Sequence, residues 1–436
     1  MIIYNEVEDY FNKHKVDKKV WIIDQNIFNF WRNRIFSIIG SNKYYIVEST
    51  EKNKSFSTYQ DIMNFLFEND IDRGYTIFGI GGGIIGDMTG FVASTYLRGI
   101  KLVHIPTTLL SMVDSSIGGK TGVNNIYGKN MIGAIYQAKD IIIDISWLET
   151  LPMEHKINGM AEVIKMALIK GGELYKLVNQ SDPTNWKNLK EIIKLSANYK
   201  LQIIEDDFGD ITGSRELLNL GHTWGHAYEL SQDILHGFAV ADGIIEEMKY
   251  TNYYYNFPSL STMKEILNLL KKWNLLNDKK NLSFNRFDKD YGTKLLYFYM
   301  SKDKKENRLV TIKKIGEPKI VTWNIDNWKF IDSRFFKIVN NSVNLKDTKV
   351  LTVPSSKSIT NRALLFGVIS SQYSNNPISI NDILKSEDTE LMLLALKQSG
   401  IRLQEEDNKV EIYPSTFCPS GKYYLGNSGT SVRFLL

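Results

Sequence analysis

Half of the six histidines lie between positions 222 and 236, and their spacing suits metal ligation or acid–base chemistry. In Gly221-His222-Thr223-Trp224-Gly225-His226 two imidazoles stand at i and i+4, on one face of a helix, where both can converge on one ion or one substrate. His236, in Leu235-His236-Gly237, falls just past that helix, where a loop could turn it inward. Glu162, on an expected helix from Gly159 to Lys170, is a candidate third ligand. Three protein ligands and an open fourth position are the pattern of a catalytic zinc site. A lone histidine is more often a cap or a packed core residue, but three so close together favour ligation or catalysis.

A second candidate is the run Gly79-Ile80-Gly81-Gly82-Gly83-Ile84-Ile85-Gly86-Asp87, between a strand-like Tyr75 to Phe78 and a helical Met88 to Tyr96. Glycines let backbone N–H groups and a helix N-terminus approach a pyrophosphate closely. Gly81, Gly83 and Gly86 satisfy G-x-G-x-x-G, yet no ribose-binding acid follows about 20 residues later. Taken alone, the run fits a phosphate cradle and a tight strand-to-helix turn equally well.

These groups need a scaffold. Short β-branched runs at Val20 to Ile23, Tyr44 to Val47, Tyr75 to Phe78 and Leu102 to Ile105 alternate with helical segments, which predicts βαβ units and a parallel wound sheet. From about Leu151 longer helical stretches take over: Gly159 to Lys170, Lys187 to Asp206, Arg215 to Gln232 and Ala239 to Asn256. A third texture begins near Asn340, and residues 332–348 read as a linker. The expected division is 1–150, 151–331, the linker 332–348, and 349–436.

Bulk properties exclude several classes. The chain has 436 residues, 43% of them hydrophobic, and 53 basic against 49 acidic residues leave a formal charge of only +4. Nucleic acid is not implied, and Lys302-Asp303-Lys304-Lys305 and Lys271-Lys272 read as solvated faces. Cys418 stands alone, so no internal disulfide forms and a reducing compartment, by default the cytoplasm, is expected. The acidic Glu6, Glu8 and Asp9 suit neither a signal nor a transit peptide, and no apolar run reaches the roughly 20 residues of a membrane span.

Five ordered blocks between Val20 and Trp323 resemble 3-dehydroquinate synthase. They are Gly81 to Asp87, Pro106 to Lys120 (with Pro106-Thr107-Thr108-Leu109-Leu110 and Asp114-Ser115-Ser116), Gly128-Lys129-Asn130, Asn158 to Lys165, and Leu217 to Ala227. The resemblance implies an α/β fold: a Rossmann-like nucleotide-binding domain over 1–150 and a mainly α-helical metal- and substrate-binding domain over 151–331. It implies zinc, with cobalt as an alternative ion, on Glu162, His222 and His236. NAD is implied to touch Asp24, Asn26, Glu51, Lys54, Gly82, Gly83, Asp87, Thr107, Thr108, Asp114, Lys129 and Thr150. Substrate is implied to meet Arg98, Asp114, Lys120, Asn130, Lys165, Lys200, Arg215, Asn219, His226 and one of Lys304 or Lys305. Catalysis is implied to fall on His226, Lys165, Asn130, Lys120 and Arg98. The substrate, 3-deoxy-arabino-heptulosonate 7-phosphate, carries a carboxylate and a phosphate, and both need Lys or Arg. In this family a carbinol is oxidised by NAD, phosphate is eliminated, the hydride is returned, and ring opening and aldol closure give dehydroquinate. A homodimer is the expected assembly.

Two positions depart from the pattern. Gly237-Phe238-Ala239-Val240 stands where the family reads Gly-Glu-Ala-Val, so a carboxylate expected beside the metal becomes an aromatic ring, a change expected to lower metal affinity or activity about 10- to 100-fold. Between Lys200 and Arg215 an Asp-Glu pair becomes Asp206-Asp207-Phe208. Farther on, Val353-Pro354-Ser355-Ser356-Lys357-Ser358-Ile359-Thr360-Asn361-Arg362 and Leu425 to Leu435 resemble the first part of 5-enolpyruvylshikimate-3-phosphate (EPSP) synthase. There Lys357, Ser358 and Arg362 would bind phosphate and carboxylate, with Asn427, Gly429 and Thr430 on the enolpyruvate side. This order matches the fungal-type pentafunctional arom arrangement, and a partial α/β segment without transferase activity is expected. An NAD- and metal-dependent polyol dehydrogenase and a non-catalytic assembly partner are the competing readings.

Overall fold

The runs Val20–Ile23, Tyr44–Val47, Tyr75–Phe78 and Leu102–Ile105 all fold into strands of one parallel sheet. Its strands are β1 (Ile2–Ile3), β2 (Lys19–Asp24), β3 (Lys43–Val47), β4 (Thr76–Gly81), β5 (Lys101–Pro106) and, after an intervening hairpin of β6 (Lys120–Asn125) and β7 (Gly128–Ile135), β8 (Asp140–Ile142). The order is β1-β8-β5-β4-β2-β3, with every pair parallel. β4 is buried along its whole length and β2 along nearly all of it, as continuous apolar runs covered on both faces must be. Helices α1 (Val7–Lys13), α2 (Gln25–Phe30), α3 (Arg32–Ile39), α4 (Phe56–Glu68) and α5 (Gly83–Thr95) connect these strands. Ile62, Leu66, Ile85, Met88 and Val92 pack α4 and α5 on Val20, Ile22, Ile77 and Leu102 of the sheet. The computed structural model describes residues 1–126, 128–206, 214–232, 234–276, 308–323, 350–352, 357–371, 376–406 and 408–414.

Strand order reverses between β2 and β4, the switch point of a wound sheet, where a crevice opens outside the C-terminal strand ends. Asp24 and Gly81, the last residues of β2 and β4, stand at its lips. The helix expected from Met88 in fact begins at Gly83, with Gly82 as its extended N-cap. Burial of Ile85 and Met88 against the sheet overrides the poor helix propensity of the glycines.

Beyond β8 the same unit turns helical: α6 (Met153–Lys170), α7 (Gly172–Gln180), α8 (Leu189–Asp206), α9 (His222–Gln232), α10 (His236–Tyr255) and α11 (Leu260–Lys272), with an antiparallel pair β9 (Arg308–Lys314) and β10 (Glu317–Thr322). Every residue of α6 from Asn158 to Ile169 is buried, which marks it as a central helix. The stretch Arg215 to Gln232, read as one helix, is broken: a 3-10 turn over Ser214–Asn219 ends before Gly221, and α9 starts at His222. Gly221 has φ +80 and sits where a Cβ would meet the Val240 carbonyl at 2.6 Å, so backbone of the turn touches α10 directly. His236 likewise opens α10 instead of lying in a loop.

Met1–Ile331 form one unit and Asp332–Leu436 a second. Within the second, β11 (Val350–Thr352), α12 (Lys357–Ser371), β12 (Ile378–Asn381), α13 (Glu387–Gln398), β13 (Leu403–Glu406) and β14 (Lys409–Ile412) build a mixed sheet of order β11-β12-β14-β13. Leu364, Val368, Ile380, Met392, Leu396, Val410 and Ile412 form its core. The expected linker 332–348 lies outside the described residues. None of the described helices is long and apolar enough to cross a membrane.

Candidate active site

The central helix α6 presents Glu162, only 1% exposed, toward the first turns of α9 and α10. Ligand atoms of Glu162, His222 and His236 lie within 4.8 Å of one another. Glu162 Oε1 is 3.4 Å from His236 Nε2 and 3.7 Å from His222 Nε2, neither in hydrogen-bond geometry, while Oε2 pairs with Lys165 one turn on. Ligand atoms of a tetrahedral zinc site with bonds near 2.1 Å are about 3.4 Å apart, so one carboxylate oxygen and two imidazoles fit a cation between them. Their outer nitrogens are anchored: His222 Nδ1 meets the Leu220 carbonyl at 3.0 Å, and His236 Nδ1 meets Glu229 Oε2 at 3.0 Å. Gly237 N donates to Asn158 Oδ1 at 2.6 Å and Gly221 N to Glu247 Oε2 at 2.5 Å, which fixes both helix starts.

Charge is concentrated here. Burial would raise the Glu162 carboxyl, but Lys165 and His236 hold it well below the usual carboxylate range. Burial, with Lys165 and the neighbouring imidazoles, keeps His222 well below its ordinary value and therefore neutral, the form that ligates metal. His236 is instead raised to about 10 despite burial, because Glu162 and Glu229 both face it. A cation bound between these groups would displace the extra proton of His236, since the ligating imidazole is the neutral form. The exposed ring of His226 lies 5.2 Å from that of His222 and 6.3 Å from that of His236, centroid to centroid.

Next to this cluster is the switch-point crevice. A cavity beneath the glycine turn is lined by Gly79, Gly81, Gly82, Gly86, His104 and Pro106 on one side and by Ser111, Ser115 and Ser116 on the other. Asp24 Oδ1 caps α2 through Asn26 N and Ile27 N, at 2.7 and 3.2 Å, and its other oxygen accepts from Ser49. Lys54, 4% exposed, pairs with Asp87 of α5 at 2.5 Å and donates to Asn130 of β7. Burial raises the Asp87 carboxyl against the pull of Lys54. Glu51 accepts from Asn124 at 2.9 Å, Thr107 N donates to the Gly81 carbonyl at 3.0 Å, and Thr108 and Ser111 share hydroxyl contacts. Lys200 Nζ reaches Asp114 Oδ1 at 2.6 Å and its carbonyl at 2.8 Å, and holds that carboxyl low although burial would raise it. Thr150 Oγ1 accepts from Trp31 Nε1 at 2.8 Å.

The structure thus gathers Lys54, Asp87, Asn130, Asp114, Lys200, Lys165 and the three candidate ligands along one edge. Lys129 joins through Glu229 at 2.9 Å. Lys120 opens β6, Arg215 Nη2 lies 3.5 Å from where a Gly118 Cβ would be, and Asn219 donates to the Glu216 carbonyl at 2.9 Å. Arg98 is different. It is exposed at the end of the turn Tyr96–Arg98 with φ +65, and α5, 13 residues and so about 20 Å long, has carried the chain to the opposite edge of the sheet. Arg98 therefore does not join the other site residues of its own chain. Lys304, Lys305, Asp207, Phe208, Asn427, Gly429 and Thr430 lie outside the described residues, and nothing is described of the Lys357 and Ser358 side chains. Glu229 and Asn158 went unassigned in the sequence reading. Glu229 had a signal: it is i+7 from His222 and so shares the face of His222 and His226.

Family models match three consecutive stretches: 3-dehydroquinate synthase N-terminal over 44–158, 3-dehydroquinate synthase C-terminal over 159–306, and EPSP synthase (3-phosphoshikimate 1-carboxyvinyltransferase) over 343–436. A pentafunctional AROM polypeptide of Kluyveromyces lactis is 35% identical over 445 residues, covering 90% of this chain and 28% of that polypeptide. The chain thus spans little more than a quarter of such relatives' length. A crystal structure of 2-deoxy-scyllo-inosose synthase with carbaglucose-6-phosphate, NAD+ and Co2+ superposes with a TM-score of 0.67 at 24% identity, covering 76% of this chain and 95% of that one. A 2-epi-5-epi-valiolone synthase from Streptomyces hygroscopicus with NAD+ and Zn2+ gives 0.66 at 19% identity, covering 78% and 96%. Both show the same fold. Over residues 44–306 the chain belongs to the 3-dehydroquinate synthase family, and its EPSP synthase stretch follows at 343–436.

Proposed function

We propose that the first unit converts 3-deoxy-D-arabino-heptulosonate 7-phosphate to 3-dehydroquinate and phosphate, with zinc on Glu162, His222 and His236 and NAD in the switch-point crevice. The observation that carries this reading is the placement of the cluster of buried Glu162 with half-buried His222 and His236 beside Lys165 and Lys200, on the edge that also holds the glycine turn. When bound, zinc would acidify substrate hydroxyls and NAD would take up and return a hydride.

The chain's own residues do the rest. Lys165, 2% exposed, and Lys200, 9% exposed, put ammonium groups where water is scarce, so they can neutralise a phosphate or carboxylate strongly. Asp114, kept ionised by Lys200, is a fixed acceptor for a sugar hydroxyl. His226, exposed beside the triad, is the group proposed to take up or give a proton, and Asn130, whose amide oxygen accepts from Lys54, is proposed as a polar partner to the substrate. A polyol dehydrogenase would not need buried lysines beside its ligands. A cytoplasmic homodimer is the proposed setting, with light scattering as the check on its mass.

The test is phosphate release from the heptulosonate with a catalytic amount of NAD, before and after chelation. Release that chelation abolishes and zinc restores is expected. No release under either condition would refute the reading, and net NADH from glycerol without phosphate release would move it to the dehydrogenases.

A further inference from the structure

The family pattern places a carboxylate two residues beyond the last ligand, and here that position is Phe238. The structure nevertheless leaves no gap behind His236. Glu229, on the last turns of α9, brings Oε2 to 3.0 Å from His236 Nδ1, the nitrogen turned away from Glu162. Its other oxygen, Oε1, accepts from Lys129 Nζ at 2.9 Å. The Glu229 side chain is 17% exposed and that of Lys129 40% exposed, so the bridge stands at the mouth of the site.

Metal-bound imidazoles almost always donate their second N–H to a carboxylate or carbonyl, which fixes the tautomer and the ring plane. The Leu220 carbonyl serves His222 in this way, and Glu229 is the group that can do so for His236. Because Lys129 lies on the β6–β7 hairpin over the crevice and His236 lies at the triad, one carboxylate spans both proposed ligand sites. We propose that Glu229 is a positioning residue that orients His236 for the cation in place of the carboxylate missing at 238, and that through Lys129 it couples cation affinity to nucleotide affinity. The inference rests on the proposed zinc and NAD sites. Lys129 competes with His236 for the negative charge of Glu229. A dinucleotide phosphate that draws Lys129 to itself leaves that charge to the imidazole, so nucleotide tightens the cation and, by reciprocity, the cation tightens nucleotide.

The experiment measures zinc dissociation constants by competition with a chromophoric chelator, with and without saturating NAD, for wild type, Glu229→Gln and Lys129→Met. Wild type should bind zinc at least about fivefold more tightly with NAD present. Glu229→Gln should bind zinc about 10- to 100-fold more weakly without NAD, with an altered visible spectrum of the cobalt-loaded protein, and should lose the NAD effect. Lys129→Met, which frees the Glu229 charge for His236 as the nucleotide would, should bind zinc without NAD about as tightly as wild type does with NAD, and should show no further NAD effect. Lys129 is a surface side chain, so that variant reads the coupling even if Glu229→Gln does not fold. The inference is overturned if Glu229→Gln binds zinc within about twofold of wild type with an unchanged cobalt spectrum, or if Lys129→Met retains the full NAD effect. Wild type that binds no zinc would overturn the proposed function along with it; wild type that binds zinc and NAD independently would remove the coupling alone.

Discussion

Replacing Gly237 with alanine should separate the proposed metal ligands without touching any of them. A Cβ at Gly237 would lie 2.0 Å from the Asn158 carbonyl oxygen and 2.9 Å from Ala161 Cβ, whereas ordinary contact begins at 3.4 Å. To relieve the clash, the start of α10 must back away from α6 by about 1.4 Å, the difference between those two oxygen distances. That shift breaks the 2.6 Å bond from Gly237 N to Asn158 Oδ1. It also carries His236, one residue earlier, outward, so that its 3.4 Å separation from Glu162 Oε1 grows to about 4.8 Å, well beyond the roughly 3.4 Å between neighbouring ligand atoms of a tetrahedral zinc site. Overpacking costs about 1–3 kcal/mol and the lost buried hydrogen bond about 1 kcal/mol more, so stability should fall by roughly 2–4 kcal/mol. Zinc affinity should fall about 10- to 100-fold, as when the groups that orient a ligand are disturbed. Chelator competition reads the affinity and urea unfolding of the metal-free protein reads the stability. Gly40→Ala is the control: its φ of +57 makes a side chain strained, by about 1–3 kcal/mol, but a Cβ there meets nothing within 4 Å. It should destabilise and leave zinc affinity alone. Gly237→Ala protein with zinc affinity within about twofold of wild type would refute the claim that backbone contact between α6 and α10 sets the ligand geometry.

Lys200→Met should cost about 2–3 kcal/mol in urea unfolding, because the largely buried Asp114 loses its cation at 2.6 Å; adding Asp114→Leu should recover most of the loss, and failure to recover would mean that Lys200 packs rather than pairs. His104, buried under the glycine turn with Nδ1 unpartnered, is held down to about 4 by burial alone, against an ordinary 6.5. Its folded-state value lies below its unfolded one, so the unfolded chain takes up the proton first and the stability due to His104 drains away as pH falls from about 6.5 toward 4. The total is at most roughly 3 kcal/mol. Unfolding curves of His104→Leu should lack that part of the wild-type slope, and parallel slopes would contradict it.

The parallel sheet could be read from the sequence because a strand buried on both faces has to be an unbroken apolar run, as Val20-Trp21-Ile22-Ile23 is. The hairpin of β6 and β7 could not. β7 reads Gly128-Lys129-Asn130-Met131-Ile132-Gly133-Ala134-Ile135 with Met131 and Ile135 exposed, so its composition gives no face to bury. Helical spacing brought out His222 and His226, but it ran straight through Gly221, where a close approach by α10 and a positive φ end the preceding turn. Arg98 shows a different limit. Motif order along the chain says nothing about which end of a sheet a residue occupies, and only the length of α5 shows that Arg98 is at the far edge. Glu229 was within reach, one further step of the same helical period that singled out His222 and His226.

The sheet also has an awkward order of assembly. Ile2 and Ile3 pair with Ile141 and Ile142, and the Met1 ammonium donates to the Lys139 carbonyl at 2.7 Å. Ribosomes add roughly 5–20 residues per second, so the opening residues wait roughly 7–28 s before their partner strand exists. Throughout that interval the apolar β1 dipeptide has no hydrogen-bonding mate, and for the last roughly 2–7 s of it, once β5 has been made, the edge that will receive β8 is bare. Synthesis rate therefore sets how long an unsatisfied sheet edge is offered to chaperones or to other nascent chains. Slowing translation ahead of residue 140 should raise the fraction that aggregates, even though the finished protein is unchanged.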